Sequence, residues 1–176
     1  MSEIELQLPS PQHQIAAEDF KREFFEAREF VINGSALLDQ MDYELWLTHT
    51  TNNRQENKTR PDWVTATTFF AVRQSDDRIV GILDIRHNLN HDFLTQYGGH
   101  IGYAVRPCER KKGYATDMLR MGLTYAKTLG IARIMLGCYT SNLPSVKTIV
   151  KNGGVLSETK PLTDGKLVNI YWIETT

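Results

Sequence analysis

Hydrophobic positions near the start of the chain change from a two-residue to a helical period. Ile4, Leu6 and Leu8 alternate with polar residues, which predicts a first strand that Pro9 ends. The next apolar residues recur at helical spacing and predict a helix over residues 14–28. Its predicted apolar face consists of Ile15, Phe20, Phe24 and Phe25.

A second helix is predicted over residues 41–49, with Asp39 or Asp42 near its start as helix-initiating residues. The segment that follows, residues 50–61, is polar and predicts a loop.

Two antiparallel hairpins are predicted, one in the middle of the chain and one at its end. Residues 67–73 and 79–86 are rich in β-branched and aromatic side chains, and residues 155–160 and 166–172 are predicted to form the final hairpin. Each pair is joined by a short run of Ser, Thr, Asp or Gly that favours a turn.

Between the hairpins, strands alternate with helices. Residues 100–105 and 131–138 predict strands, and a helix that starts at Gly113 is predicted to end at Gly130, with a short helix over residues 144–151. The first of these helices has a shared face of Ala115, Met118, Leu119, Gly122, Leu123 and Ala126. The predicted order is β α α β β β α β α β β, an α/β domain with a mixed sheet.

Composition narrows the class of protein. The 176 residues fit one domain, 1–176, and 41% of them are apolar. A net charge of −1 favours neither nucleic acid nor an anionic membrane as a partner. Cys108 and Cys138 are too few for a disulfide framework, and the N-terminal residues lack a basic and an apolar signal region. We therefore expect a cytoplasmic protein.

The run VRPCERKKGYATDML, residues 105–119, predicts an anion site between a strand and a helix. The first N–H groups of a helix have no intrahelical partner, and the helix dipole favours an anion in front of them. Gly113 leaves room for a phosphate to approach the backbone, and Ala115 keeps the next turn small. An ordinary strand-to-helix turn with a solvated basic rim is the alternative. No P-loop or Rossmann glycine pattern occurs.

At these residues the chain resembles the GNAT superfamily of acyl-CoA N-acyltransferases. That family's motif, Arg/Gln-x-x-Gly-x-Gly/Ala between a strand and a helix, is matched by Arg110, Gly113 and Ala115. A second family feature, an Asn and a small residue before a short helix that ends in Gly, is matched by residues 141–145 and 151–154. The run GGHIGYAVRPCERKKGYATDML is similar to a group of bacterial predicted acetyltransferases of undefined substrate.

The resemblance implies a fold and a reaction. The fold is a mixed, mostly antiparallel sheet flanked by about four helices, with a central parallel pair, residues 100–105 and 131–138, splayed for CoA. The reaction is transfer of acetyl from acetyl-CoA to a primary amine by direct attack in a ternary complex. The first two helices and the loop to Trp63 would form the acceptor pocket, and a homodimer is compatible with the family.

The resemblance also implies how acetyl-CoA is bound. The pyrophosphate would lie on the N–H groups of residues 110–115, and the pantetheine arm would pair with residues 103–105. Asn142 would contact CoA or fix the adjacent loop, although a plain helix N-cap is an equally open interpretation. The implied contacts are Tyr103, Ala104, Val105, Arg110, Lys111, Lys112, Gly113, Tyr114, Ala115, Thr116, Asn142 and Ser145.

The proton-handling residues are less well defined. Many members of the family carry a Tyr seven residues after the Asn, and Ile149 occupies that position here. The candidate bases are Asp84, which lies between apolar neighbours in a strand, and His87 and His100 at adjoining strand ends. Each of the three could instead be a structural, hydrogen-bonded residue.

Three further interpretations remain open or are disfavoured by the sequence. A CoA-binding or sensor module without catalysis is compatible with Ile149. A phosphate- or nucleic-acid-binding module could use the basic residues of the 106–112 run. A metal site is not predicted, because His87 and His91 follow a strand and have no evident third ligand.

Overall fold

The computed structural model of the protein describes residues 3–175. Within that range the elements follow the predicted order: β1 (Ile4–Gln7), α1 (Gln14–Glu26), α2 (Tyr43–Asn53), β2 (Ala66–Arg73), β3 (Arg78–Arg86), β4 (Ile101–Val105), α3 (Tyr114–Thr128), β5 (Arg133–Tyr139), α4 (Leu143–Lys151), β6 (Val155–Pro161) and β7 (Leu167–Glu174). None of the helices in this part of the chain is long and apolar enough to cross a membrane.

The first four strands form one antiparallel sheet in the order β1-β2-β3-β4. Helix α3 covers one face of this sheet, where Leu83 and Ile85 of β3 pack with Met118 and Leu119. Helices α1 and α2 cover the other face, which carries Ile82. Successive strand residues point to opposite faces, so the α/β layers follow from the alternation along β3.

The last three strands form a second antiparallel sheet in the order β5-β7-β6. The two sheets meet at an isolated antiparallel bridge between Gly99 and Leu136. The two backbone segments approach closely here, because a Cβ at Gly137 would lie 1.7 Å from the carbonyl oxygen of Tyr97. Glycine is therefore required for the two sheets to touch.

Strands β4 and β5, the two neighbouring strands expected to be splayed, do not pair with each other. Every strand pair within residues 3–175 is antiparallel, and β4 and β5 belong to different sheets. Beyond the Gly99–Leu136 bridge they share no ladder. The predicted strands and helices and the splay are confirmed, since β4 and β5 separate where the cavity described below opens.

Helices α1 and α2 differ from prediction in two details. Ile15 is 86% exposed, because the buried stripe of α1 runs through Ala17, Phe20 and Phe24 at three- and four-residue spacing. Helix α2 continues to Asn53, four residues past the predicted end at residue 49. Its last turns are polar in sequence, yet Thr50 is buried and its hydroxyl donates to the carbonyl oxygen of Trp46 at 3.0 Å.

Helix α3 begins and ends at glycines in left-handed conformations, as predicted. Gly113 is the N-cap with φ 92°, and Gly130 follows the C-cap with φ 77°. At the C-terminus, the N–H of Ile131 donates to the Ala126 carbonyl at 3.2 Å and the N–H of Gly130 to the Lys127 carbonyl at 3.0 Å. This is a Schellman-type end.

Candidate active site

A cavity of about 500 Å³ opens between the β4 edge, the start of α3 and the start of α4. Eleven of the twelve residues that the resemblance assigns to acetyl-CoA line it: Tyr103, Ala104, Val105, Arg110, Lys111, Gly113, Tyr114, Ala115, Thr116, Asn142 and Ser145. The exception is Lys112. The fold thus brings together residues from two separate motifs, and their contact with a ligand stays a prediction.

Strand β4 presents to this cavity backbone N–H groups that do not pair with β3, while the Val105 carbonyl accepts from the Arg110 Nε atom at 3.2 Å. Its partner β3 is hydrogen-bonded to the backbone groups of the even-numbered residues of β4, in the same phase as Arg106, whose N–H donates to the Val80 carbonyl at 2.8 Å. Hydrogen-bonded and non-hydrogen-bonded pairs alternate along an antiparallel ladder. The N–H groups of Tyr103 and Val105 therefore point away from β3, toward the open edge. An extended amide-containing ligand could pair with that edge as a further strand does.

The turn before α3 has the backbone shape of an anion site. Lys111 has φ 64° and Gly113 has φ 92°, so the peptide groups turn inward ahead of the helix. Consecutive N–H groups in such a conformation form a concave nest that binds anions. No protein atom lies within 4 Å of a Cβ built on Gly113, which leaves that side of the turn open.

The basic side chains of the turn are already paired, which the sequence did not indicate. Both terminal nitrogens of Arg110 donate to the Glu29 carboxylate, at 2.7 and 2.6 Å. Lys112 donates to Glu109 at 2.7 Å and lies outside the cavity lining. Assigning Lys112 to the ligand is therefore not supported by its position. Arg110 and Lys111 both line the cavity and are exposed, and of these two it is Arg110 that pairs with Glu29.

A buried ionic network holds the turn in place. Glu109 is 3% exposed and accepts from Arg73 at 3.0 Å as well as from Lys112. Burial alone would raise the pKa of Glu109, but the two cations outweigh it and lower the pKa overall. Arg106 is fully buried and bonds to both Asp19 and Glu23 of α1 at 2.9 Å. The turn is thereby fixed to β2 and α1 before any ligand binds.

The opposite wall of the cavity comes from α4. Asn142 caps this helix, because its side-chain oxygen accepts from the N–H of Ser145 at 3.3 Å. The N-cap interpretation of Asn142 is therefore confirmed, and because Asn142 also lines the cavity, its contact with CoA stays a prediction. Lys147 lines the cavity as well and is exposed. Sequence reasoning missed Lys147, which lies two residues after the Asn-Leu-Pro-Ser run.

The loop between α1 and α2 supplies a third wall that the sequence did not predict. Glu29, Val31 and Asn33 line the cavity. Gly34 packs directly on β4, since a Cβ there would lie 2.3 Å from the carbonyl carbon of Gly102. No local motif marks this loop, because its position depends on the tertiary contact between those two glycines.

Asp84 is the candidate base with the most unusual surroundings. It is 4% exposed, its carboxylate accepts from Thr68 at 2.9 Å, and Arg86 lies 3.6 Å away. Burial raises its pKa, with Arg86 and Thr68 opposing the shift. Asp84 pairs with Gly102, next to Tyr103, on the sheet face covered by α1 and α2. On that face the Nε2 atom of His49 is buried without a hydrogen-bond partner.

The two candidate histidines have structural partners. His87 lies on the α3 side, where its Nε2 atom is 2.8 Å from the hydroxyl of Thr67. His100 is buried, and its Nδ1 atom accepts from the N–H of Met135 at 3.0 Å. Burial, with a contribution from Arg86, lowers the pKa of His100 to about 4. Asp84, His87 and His100 do not line the cavity, so the assignment of the base stays a prediction.

Ile149, at the position where many relatives carry a Tyr, is buried in the core and lies outside the cavity lining. A Cβ on Gly154 would lie 2.4 Å from the Ile149 side chain, which shows how tightly this end of α4 packs. Its position offers no polar group to the site.

A family model described as the acetyltransferase (GNAT) domain matches residues 6–155. A search of curated proteins finds no match.

Solved structures with the same fold cover almost the whole chain. A ribosomal-protein-S5-alanine acetyltransferase from Vibrio fischeri is 15% identical with a TM-score of 0.73, over 99% of this chain and 94% of that one. A ribosomal L7/L12 alpha-N-protein acetyltransferase in complex with coenzyme A is 18% identical with a TM-score of 0.70, over 99% and 95%. A spermidine/spermine N-acetyltransferase from Vibrio cholerae is 12% identical with a TM-score of 0.68, over 99% and 95%. These likenesses show the shared fold.

Proposed function

Since the chain belongs to the GNAT acetyltransferase family, we propose that it transfers acetyl from acetyl-CoA to a primary amine by direct attack. The observation that carries this proposal is the single cavity that joins the open β4 edge, the turn before α3 and the start of α4. An elongated ligand with an anionic end and amide groups fits this combination.

The donor would lie along the β4 edge with its pyrophosphate at the turn. The outward N–H groups of Tyr103 and Val105 would donate to carbonyl oxygens of the pantetheine arm, and the N–H groups from Lys111 to Ala115 would hold the pyrophosphate. Lys111 and Lys147 line the cavity from opposite walls and would add positive charge there. Several such charge-assisted hydrogen bonds are each worth about 1.5–3 kcal/mol.

Direct attack in a ternary complex is favoured over an acyl-enzyme. Neither Cys108 nor Cys138 lines the cavity. Burial also raises the pKa of the Cys138 thiol, which keeps it protonated and weakens it as a nucleophile. The amine would therefore attack the thioester carbon itself, while the N–H of Tyr103 or Val105 stabilises the carbonyl oxygen as it gains charge.

The attacking amine must be neutral and must lose a proton. Asp84 is the candidate that best fits this task, because its pKa is raised by burial and it pairs with Gly102 beside the outward N–H of Tyr103. A lysine-like amine needs about 4–5 kcal/mol to be neutral at pH 7, whereas an α-amine needs about 1 kcal/mol. The lower cost favours peptide N-termini, and polyamines are the other acceptor class named for the fold neighbours, so these are the first two classes to test.

The proposal is tested by incubating the protein with acetyl-CoA and panels of peptides with free N-termini, lysine side chains, polyamines and amino sugars. Release of the CoA thiol and the mass of the acetylated amine are measured together. We expect turnover with at least one class. Binding of acetyl-CoA without turnover of any class would instead support a CoA-binding module without catalysis.

A further inference from the structure

We propose that Tyr103 is a catalytic residue whose hydroxyl donates a hydrogen bond to the CoA sulfur as the thiolate leaves, with Ser145 orienting it. This inference rests on the proposed function, since it requires acetyl-CoA in the cavity. Tyr103 then has two roles, one through its backbone N–H at the β4 edge and one through its side chain.

The side chain of Tyr103 spans the gap between β4 and α4. Tyr103 packs with the cluster on the α3 face of the sheet, and its hydroxyl lies 2.8 Å from the Ser145 hydroxyl in the first turn of α4. Both residues line the cavity, and so does Thr148 one turn on. The phenol is thus held at the place where the two strands have separated, beside the edge that would carry the thioester.

The environment keeps this phenol protonated. Burial raises the pKa of Tyr103 to about 12, although the hydrogen bond with Ser145 opposes the shift. At neutral pH the hydroxyl is therefore a permanent donor that does not lose its proton during the reaction. A donor that is buried and aimed at developing charge is worth more than the same group in water.

The reaction needs such a donor at the sulfur. The amine nitrogen forms a bond to the thioester carbon, the C–S bond breaks, and its electron pair stays on sulfur. The proton that the amine loses passes to the base, for which Asp84 is the candidate, and from there to solvent. The thiolate later takes a proton from solvent, so the balance needs no further reactant. Tyr103 stabilises the thiolate while it forms, and Ser145 donates to the phenol oxygen from the other side.

Other groups in the cavity wall are less suited to this role. Tyr114 also lines the cavity, but its hydroxyl accepts from Arg73 at 3.2 Å, within the ionic network of the turn. Ile149 has no polar group. On the Asp84 side of β4 the amine would enter, and on the Tyr103 side the thiolate would leave, because neighbouring residues of the strand face opposite ways.

The direct test measures the thiol pKa of CoA bound to the protein, from the ultraviolet absorbance of its thiolate, and needs no acceptor. Loss of one hydrogen bond to a charged group predicts that Tyr103→Phe raises this pKa by about one to two units relative to wild type. Ser145→Ala should raise it by less. Tyr139→Phe, a strand tyrosine outside the cavity lining, should leave it unchanged.

With an acceptor in hand, Tyr103→Phe should lower kcat by about 10- to 100-fold while the acetyl-CoA dissociation constant changes by less than about threefold. The pH profile should keep its shape, since the phenol does not titrate in the working range. An unchanged bound-thiol pKa in a Tyr103→Phe variant that still binds CoA would overturn this inference alone. Failure of the wild-type protein to bind CoA would overturn the proposed function with it.

Discussion

Replacing Gly113 by Ala tests the anion site, because the change adds one methyl group to the turn before α3. No protein atom would lie within 4 Å of that methyl carbon, so it meets open space, on a residue that lines the cavity. Gly113 has φ 92°, a conformation that costs an L-residue about 1–2 kcal/mol. The variant therefore combines a known backbone strain with obstruction of the ligand.

Gly130 is the matched control for the strain. It lies just past the other end of the same helix with φ 77°, and a Cβ there also meets nothing within 4 Å. Gly130→Ala and Gly113→Ala should each lower the melting temperature by about 2–8 °C, from 1–2 kcal/mol at 2–4 °C per kcal/mol. In calorimetric titration, Gly113→Ala alone should lose acetyl-CoA affinity, by at least about tenfold.

An acetyl-CoA affinity of Gly113→Ala that equals that of wild type, as expected for Gly130→Ala, would refute the turn as the phosphate site. Equal losses of affinity in both variants would also refute it, because the effect would then come from destabilised α3 and not from the turn.

Three other expectations concern charges near the cavity. Glu29→Gln should tighten acetyl-CoA binding by about fivefold, since it frees Arg110 and removes a negative charge from the wall; calorimetry showing weaker binding would contradict this. Asp84→Asn should lower kcat by about 100-fold at unchanged acetyl-CoA affinity. Because burial raises the pKa of Asp84, the free energy of unfolding of the wild-type protein falls as pH rises through that pKa. In urea unfolding, the free energy of unfolding of Asp84→Asn should therefore increase relative to that of wild type toward neutral pH. The pKa of His100 is about 4, below the usual 6.5, because the imidazole is buried. The free energy of unfolding should therefore fall by up to about 3 kcal/mol as pH falls from 6.5 to 4, and this loss should be absent in His100→Asn.

The sequence was sufficient for the parts of the fold that depend on local periodicity and backbone conformation. Gly113 and Gly130 mark the ends of α3 because few other residues accept their φ angles. The buried stripe through Phe20 and Phe24 follows from helical spacing. Ile15 is apolar but lies off that stripe and is exposed, so apolar character alone does not identify the buried face of the helix.

Tertiary contacts decided what the sequence could not show. Glu29 reaches Arg110 only because the loop after α1 folds onto β4, and 81 positions separate them in the chain. Glu109 interrupts the basic run in sequence, yet in the structure it organises that run by pairing with Arg73 and Lys112. The position of Tyr103 against Ser145 likewise depends on how far β4 and α4 lie apart.

Calorimetric titration of the wild-type protein with acetyl-CoA tests the central claim most directly. The cavity predicts one binding site per chain, a dissociation constant in the micromolar range, and displacement by free CoA but not by inorganic phosphate at equal concentration. Absence of binding at millimolar acetyl-CoA would contradict the account.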